Sequence, residues 1–202
     1  MGRSPDRQEA GSPNVIGAVA LGVACRTLQA ADMTRLAATE ATLLSLARGR
    51  LATVPGVQQY QMWSPDHPRI AVLPFTLTSV PYAQLAAVLS AEYGIGLRHG
   101  CFCAHPLMAH LLGIDPAQAA DLGQRISRGA PLAMPGAVRA SMGLGTTTGD
   151  IDHLFDALTA VVLDGPRWSY RTSPDASDCW PDPDPRPRWA ESLRRTLSLT
   201  GS

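Results

Sequence analysis

The spacing of apolar positions along the first quarter of the chain predicts two helices. Ser12-Pro13-Asn14 offers an N-terminal cap for a helix of small apolar residues that continues to about Ala30. Asp32 can cap a second helix, which ends before Pro55-Gly56. The positions predicted to form the buried side of this second helix are Met33, Leu36, Ala37, Leu43, Leu44 and Leu51.

The pattern then changes to extended segments. Residues 57–62 and 69–77 are predicted to form a hairpin-like pair, because the prolines and aspartate at 64–68 suit a turn. A third helix is predicted from Pro81, and Gly94 supplies its left-handed end.

The next part of the chain predicts shorter elements. Residues 95–98 are predicted to form a strand and 100–104 a loop, followed by a brief helix at 106–113. A surface helix after Asp115-Pro116 and a strand at 137–142 complete this part.

A final helix is predicted from Thr147 or Thr148. Its apolar positions repeat at helical spacing: Ile151, Leu154, Phe155, Leu158, Val161 and Val162. Helices placed around three or four strands predict an α+β domain in which the helices cover one face of a single sheet.

Composition divides the chain into three segments. Residues 1–8 are a polar leader, and residues 9–163 are the folded segment. Residues 164–202 are rich in proline and polar side chains and are predicted to be a disordered tail, although 188–199 could form a short amphipathic helix. One alternative is that the tail docks through its tryptophans, Trp168, Trp180 and Trp189.

Net charge, cysteine spacing and hydrophobic length argue against several classes of protein. The formal net charge is zero, so nucleic-acid binding is not predicted. The four cysteines are not spaced like a disulfide framework, which favours the reducing cytoplasm. A membrane span is not predicted, because no stretch reaches the roughly 20 apolar residues required. Cys25 after an apolar run loosely resembles a lipoprotein signal, but Asp6 and Glu9 spoil its basic flank.

The chain contains no lysine, and all 17 of its basic residues are arginine. A guanidinium stays protonated at biological pH and cannot form an imine with an aldehyde. The chain therefore cannot hold an aldehyde cofactor through a side-chain imine.

The densest group of reactive side chains is the segment 98–106. A strand ending at Arg98 and a glycine would present the thiol of Cys103 on a loop before a helix, which favours the thiolate. The alternative is a partly buried structural thiol. Two cysteines and two histidines in this segment are also possible zinc ligands. No second ligand pair exists in the sequence, so no metal site is predicted.

Arg139 is a second candidate, because it lies among apolar residues of a predicted strand. A guanidinium in that setting needs a carboxylate, either from a bound substrate or from a structural acid such as Asp150 or Asp152.

These motifs, taken together, resemble the class V aminotransferases, most closely the cysteine desulfurases and selenocysteine lyases. Three of them occur in the family's order over residues 9–163: 9–14, the segment from 95–100 to 103–108, and 138–141 followed by Thr147. The resemblance implies the small C-terminal domain of a dimeric, fold-type I enzyme that uses pyridoxal 5′-phosphate and acts on an amino acid.

The resemblance also implies roles for individual residues. Cys103 matches the thiol that receives sulfur as a persulfide, and Arg139 matches the clamp on the substrate carboxylate, with Arg98 assisting. Ser12 falls where the family approaches the cofactor phosphate of a neighbouring subunit. The cofactor lysine would belong to an upstream large domain on another chain or segment.

Departures from the family pattern leave alternatives open. Cys101-Phe102 stand where compact desulfurases often have histidines, and about twenty extra residues separate Met108 from Val138. Desulfurase, transaminase and related lyase therefore all remain possible, as does a non-catalytic remnant that serves in dimerisation or partner docking.

Overall fold

The computed structural model describes residues 11–64, 67–130, 132 and 134–186 of the 202-residue chain. The predicted leader at 1–8 and the possible helix at 188–199 lie outside these residues. The chain separates into two compact units, Met1–Thr39 and Glu40–Ser202.

The first unit holds helix α1, Val15–Ala30, and the start of α2, Met33–Leu51. The predicted caps are confirmed, since the side chain of Asn14 accepts a hydrogen bond from Gly17 N at 2.8 Å and Asp32 accepts one from Arg35 N at 3.0 Å. None of the residues of α1 is buried. Its large exposed apolar side chains are Val15, Ile16, Val19, Leu21, Val23 and Leu28.

The predicted buried side of α2 is wrong for the first half of the helix. Met33 is 57% exposed and Ala37 is exposed, whereas burial begins at Leu43. The reason is that the first turns belong to the first unit, whereas the core that receives α2 lies in the second. Helical spacing finds the apolar stripe but not the point at which a neighbour begins to cover it.

A four-stranded antiparallel sheet forms the centre of the second unit. Its strands are β1 (Val57–Gln59), β2 (Val72–Leu77), β3 (Arg98–Gly100) and β4 (Ala137–Ser141), in the order β1-β2-β4-β3. The predicted hairpin is therefore present as β1 and β2.

Four helices accompany the sheet: α3 (Tyr82–Tyr93), α4 (His105–Leu111), α5 (Pro116–Ser127) and α6 (Thr148–Asp164). The core joins one face of the sheet to α2, α3 and α6. The buried strand residues on that face are Leu73, Phe75, Leu77, Val138 and Ala140. The α+β prediction is confirmed, with helices on one face of a four-stranded sheet.

The predicted strand at 95–98 is displaced by three residues. The strand runs from Arg98 to Gly100, because these residues pair with Ala137–Arg139 of β4. Ile95 and Leu97 instead pack against the core from the connection that follows α3. Periodicity cannot place so short a strand, because the neighbouring strand sets its register.

The prediction of a disordered tail is wrong for its first part. Residues 170–181 form a second sheet of two antiparallel strands, β5 (Tyr170–Thr172) and β6 (Cys179–Pro181). The carboxylate of Glu92 on α3 accepts hydrogen bonds from the backbone N–H groups of Arg167 and Trp168 and from the Tyr170 hydroxyl, at 2.9 to 3.3 Å. Hydrogen bonds to a charged carboxylate hold this hairpin. A prediction of disorder from low apolar content does not take such bonds into account.

Candidate functional site

Two of the predicted site residues come together on the face of the sheet opposite the core. Arg98 of β3 and Arg139 of β4 are direct partners in the antiparallel register, so their side chains leave the same face. Pro74 of β2 is the partner of Arg139 on its other side. The inward-facing neighbours Val138 and Phe75 are fully buried. The alternation of β4 therefore places a core residue and a cation side by side.

The guanidinium of Arg139 has no acidic partner among the described residues. Its Nε–H is buried and donates to no acceptor in that part of the chain, while the ring of Phe102 lies 5.0 Å from its Cζ. The structural acids considered from the sequence are used elsewhere, since Asp150 bonds to Thr147 and Asp152 pairs with Arg50. Arg139 is thus held in place by an aromatic face with its charge uncompensated.

The cysteine loop, residues 100–104, joins β3 to α4. Its backbone forms a tight turn in which Ala104 N donates to Cys101 O at 2.9 Å. Phe102 and Cys103 have φ of 56° and 57°, the left-handed values that both central residues of a type I′ turn require. Side chains other than glycine adopt this conformation at a cost of about 1 kcal/mol or more each, so the contact of Phe102 with Arg139 helps to hold the turn.

Two glycines allow the loop to leave the sheet at this point. A Cβ on Gly136 would lie 2.7 Å from backbone atoms of Gly100, which itself has φ of 101°. Only glycine fits both positions without shifting the backbone. The close approach fixes the end of β3 against the start of β4, and with it the place from which the cysteines emerge.

The two thiols of the loop have different surroundings. Cys103 is exposed, and its reactivity stays a prediction. Cys101 is partly buried, and its Sγ lies 3.2 Å from Nε2 of His105. This pair was not among the predicted site residues. The signal was the four-residue spacing across a turn that leads into a helix.

Tyr82 borders the same loop. Burial, followed by the nearby charges of Cys101, Asp175 and Asp178, raises the pKa of the Tyr82 phenol above its usual value. Its hydroxyl donates to the carbonyl of Met134 at 2.9 Å. The acidic tip of the β5–β6 hairpin therefore acts electrostatically on a residue next to the cysteines.

A cavity of about 750 Å³ lies between α4 and α5. Its lining is mainly apolar, and among the described residues that form it the ionisable side chains are His105 and His110. A carboxylate finds no arginine there, so the two arginines of the sheet remain the better site for such a group.

Ser12 lies in the other unit and is exposed, two residues before the cap of α1. The role that the resemblance implies for it stays a prediction. Within the described residues, no group of three or more His, Cys, Asp or Glu side chains is arranged to hold a metal ion. In the same part of the chain, no single helix is long and apolar enough to cross a membrane, and α1 with α2 passes that test only as a bent pair.

Comparison with known proteins identifies the family. The model of the class V aminotransferases matches residues 1–154. The chain belongs to this family. It is 30% identical over 155 residues to the cysteine desulfurase CsdA of Escherichia coli, which covers 77% of this chain and 32% of that protein. It is 36% identical over 107 residues to the probable cysteine desulfurase 1 of Mycobacterium leprae, covering 53% of this chain and 17% of that protein.

Solved structures agree with this assignment. The crystal structure of Escherichia coli CsdA matches with a TM-score of 0.60 and 29% identity, over 80% of this chain and 34% of that one. The apo cysteine desulfurase of Thermococcus onnurineus matches the fold with the same TM-score at 22% identity. The chain spans about a third or less of the length of these relatives. The fold is therefore that of part of a fold-type I enzyme.

Proposed function

We propose that this chain provides the C-terminal part of a cysteine desulfurase-like enzyme that depends on pyridoxal 5′-phosphate. Arg139, assisted by Arg98, binds the carboxylate of an amino-acid substrate, and Cys103 receives the sulfur. The observation that supports this most is the pair of guanidinium groups on neighbouring strands, directly beside a loop that exposes a thiol.

The arginine pair is costly unless an anion binds to it. Like charges placed directly opposite each other on neighbouring strands are destabilising, and a buried Nε without an acceptor adds a desolvation cost of about 1–3 kcal/mol. A carboxylate removes both costs, because it accepts two parallel hydrogen bonds from one guanidinium and neutralises part of the charge. The charge of the site thus selects an anionic ligand.

Cys103 is suited to take sulfur from such a ligand. Its thiolate would attack the substrate sulfur, form a persulfide, and leave the electron pair of the broken C–S bond on the substrate carbon. That carbon needs an electron sink, which is the chemistry that pyridoxal 5′-phosphate supplies when bound. The residues of this chain do not fit covalent binding of the cofactor, because there is no lysine side chain.

The remaining assignments belong to the same proposal. The cofactor lysine comes from a large-domain segment, and Ser12 contacts the cofactor phosphate of a neighbouring subunit in a homodimer. The enzyme works in the reducing cytoplasm, where Cys103 stays a free thiol.

The first test uses the chain alone. After incubation with pyridoxal 5′-phosphate and removal of the free cofactor, we expect no imine absorbance on the protein, and with pyridoxal 5′-phosphate and L-cysteine we expect no formation of alanine. Steady alanine formation by the purified chain would contradict the need for a second segment.

The second test restores a cofactor domain. The full 202-residue chain replaces the corresponding C-terminal third of Escherichia coli CsdA, and alanine formation from L-cysteine is measured. We expect an active chimera in which Arg139→Ala lowers kcat/KM by about a hundredfold, from the loss of two charged hydrogen bonds, and Cys103→Ser abolishes desulfuration. Arg125→Ala, on the exposed surface of α5, is the matched control.

The chimera also separates the alternatives. A Cys103→Ser chimera that still forms alanine from L-cysteine would favour a transaminase or another lyase. A chimera that folds and takes up the cofactor, yet is inactive with every amino acid tested, would favour the non-catalytic interaction module.

A further inference from the structure

The cysteine loop contains a second nucleophile that the proposed function does not use. From the Cys101–His105 contact we propose that Cys101 is a resolving thiol, which attacks a persulfide carried on Cys103 and releases the sulfur as hydrosulfide, with His105 as its base. This inference rests on the proposed role of Cys103 as the persulfide carrier. The imidazole contacts Cys101 at 3.2 Å, so the chain activates the neighbour of the proposed sulfur acceptor.

Sequence separation and backbone geometry place the two thiols within reach of each other. Two residues of chain span at most about 7 Å between Cα atoms even when fully extended, and the turn from Cys101 to Ala104 shortens this span. Disulfides join Cα atoms about 4.4 to 6.8 Å apart. The Cα atoms of Cys101 and Cys103 are therefore close enough for a disulfide between them.

Phe102 keeps the two thiols at this place. Its ring packs over the guanidinium of Arg139, so the residue between the cysteines is anchored to the sheet. The residue between the two thiols is consequently fixed beside Arg139. Cys103 is exposed and can accept sulfur from a substrate. Cys101 is partly buried beside His105 and attacks the Cys103 persulfide.

The reaction balances without an external oxidant. The proton of the Cys101 thiol passes to Nε2 of His105, and the thiolate attacks the Sγ of the Cys103 persulfide. The Sγ–S bond of the persulfide breaks, the outer sulfur leaves with the electron pair as hydrosulfide, and a Cys101–Cys103 disulfide forms. Hydrosulfide is the conjugate base of a stronger acid than an alkyl thiol, which makes it the better leaving group and favours attack on the inner sulfur.

The outer sulfur is reduced in this step, and the two protein thiols are oxidised to a disulfide. A further turnover requires an external dithiol, which reduces the disulfide by thiol exchange. The product delivered by the site would thus be free hydrosulfide, with a dithiol reductant as the co-substrate class.

The test uses the full chain with Cys25 and Cys179, which lie outside the loop, changed to serine. Inorganic polysulfide loads the thiols, excess reagent is removed, and hydrosulfide release and intact mass are followed over time. We expect the chain with Cys101 and Cys103 to release hydrosulfide and become lighter than the reduced protein by two hydrogens. The Cys101→Ser variant should instead stay heavier by one sulfur, located on Cys103.

His105 is tested by rate and pH. His105→Gln should slow hydrosulfide release at neutral pH by about tenfold, because the base is lost. Raising the pH above about 9.5, where a free thiol ionises in water, should restore the rate, which a purely structural defect would not do. His110→Gln, on the next turn of α4, is the control and should leave the rate unchanged.

Three outcomes would overturn all or part of the inference, and they differ in what they leave standing. A stable persulfide on Cys103 while Cys101 is present removes the resolving role but supports Cys103 as the sulfur carrier. Failure of Cys103 to acquire sulfur in the Cys101→Ser variant removes both this inference and the proposed function of Cys103. Equal rates in wild type and His105→Gln at neutral pH would remove the role of His105.

Discussion

The two faces of the four-stranded sheet differ in burial and in charge, although the same strands form both. On the inner face, Phe75 and Val138 are fully buried beneath α3 and α6. On the outer face, Arg98 and Arg139 lie opposite each other, with Phe102 above. Side chains of the inner face fill the core, whereas the two arginines of the outer face carry charge. Successive residues of β4 therefore contribute alternately to the stability of the fold and to the candidate site.

This division predicts which substitutions destabilise the protein and which impair only its function. An inner-face truncation leaves a cavity and lowers the free energy of unfolding. Substitution of an outer-face arginine removes a charge that only a bound anion compensates, so it raises the free energy of unfolding.

Phe75→Ala should have the largest effect, because Phe75 is fully buried at the centre of the inner face. We expect the free energy of unfolding to fall by about 3–5 kcal/mol, measured by urea denaturation. Thr76→Ala, the next residue on the outer face, loses one hydrogen bond with Tyr60 and should cost only about 1 kcal/mol. Equal losses at the two positions would mean that the two faces contribute alike to the free energy of unfolding.

The inner face could be predicted from the sequence, whereas much of the outer face could not. Helical spacing in α6 is encoded in neighbouring residues, so Ile151, Leu154 and Leu158 were predicted on its buried side, and all three are buried. Arg139 stood out because a cation among apolar residues is unusual. Its pairing with Arg98 depends on strand register, which residues distant in sequence determine.

Two further features lay beyond the sequence for the same reason. The contact between Cys101 and His105 requires the turn at Phe102-Cys103, and propensity does not predict positive φ for these residue types. The docking of the β5–β6 hairpin depends on Glu92, which lies about 75 residues earlier in the chain. A polar contact between such distant residues leaves no periodic signal.

Glu92→Gln should have the second largest effect, and it extends the comparison to the back of α3. This helix buries one side in the core, while its Glu92 holds the hairpin by hydrogen bonds to a charged group. We expect docking of the hairpin to weaken by about 2 kcal/mol, seen as faster amide exchange at residues 167–181 and altered Trp168 fluorescence.

The core should be unaffected by this change. Amide exchange in β2 and β4 of Glu92→Gln should match that of the wild type, and Asp121→Asn, which removes an exposed ion pair of α5, is the charge-matched control. Loss of protection in the central sheet together with the hairpin would show that the two form one cooperative unit.

Arg139→Met should act in the opposite sense and raise the free energy of unfolding by about 1 kcal/mol. The change removes a buried Nε without an acceptor and the repulsion from Arg98, and these gains exceed the lost contact with Phe102. The gain should be larger at low salt, where repulsion is less screened. A destabilised variant at every salt concentration would mean that Arg139 is a structural residue.

The smallest effect should come from the capping box of α6, the helix that closes the inner face. Hydrogen bonds from the backbone and then the side chain of Thr147 hold the pKa of Asp150 below its usual value. A carboxyl with a lowered pKa stabilises the fold above its ordinary pKa, and this contribution is lost as pH falls through the folded value. Asp150→Asn should therefore flatten the loss of stability below about pH 4, measured by urea denaturation across pH.

Thr147→Ala should reduce the same pH dependence of stability only in part. This variant keeps the backbone N–H of residue 147, which is the larger cause of the lowered pKa, and loses only the side-chain hydroxyl. It should flatten the acid response less than Asp150→Asn does, while weakening the helix cap at all pH values. If Thr147→Ala removed the acid response entirely, the hydroxyl rather than the backbone would dominate. The pH dependence contributed by the N-terminus of α6 would then be set by the Thr147 side chain.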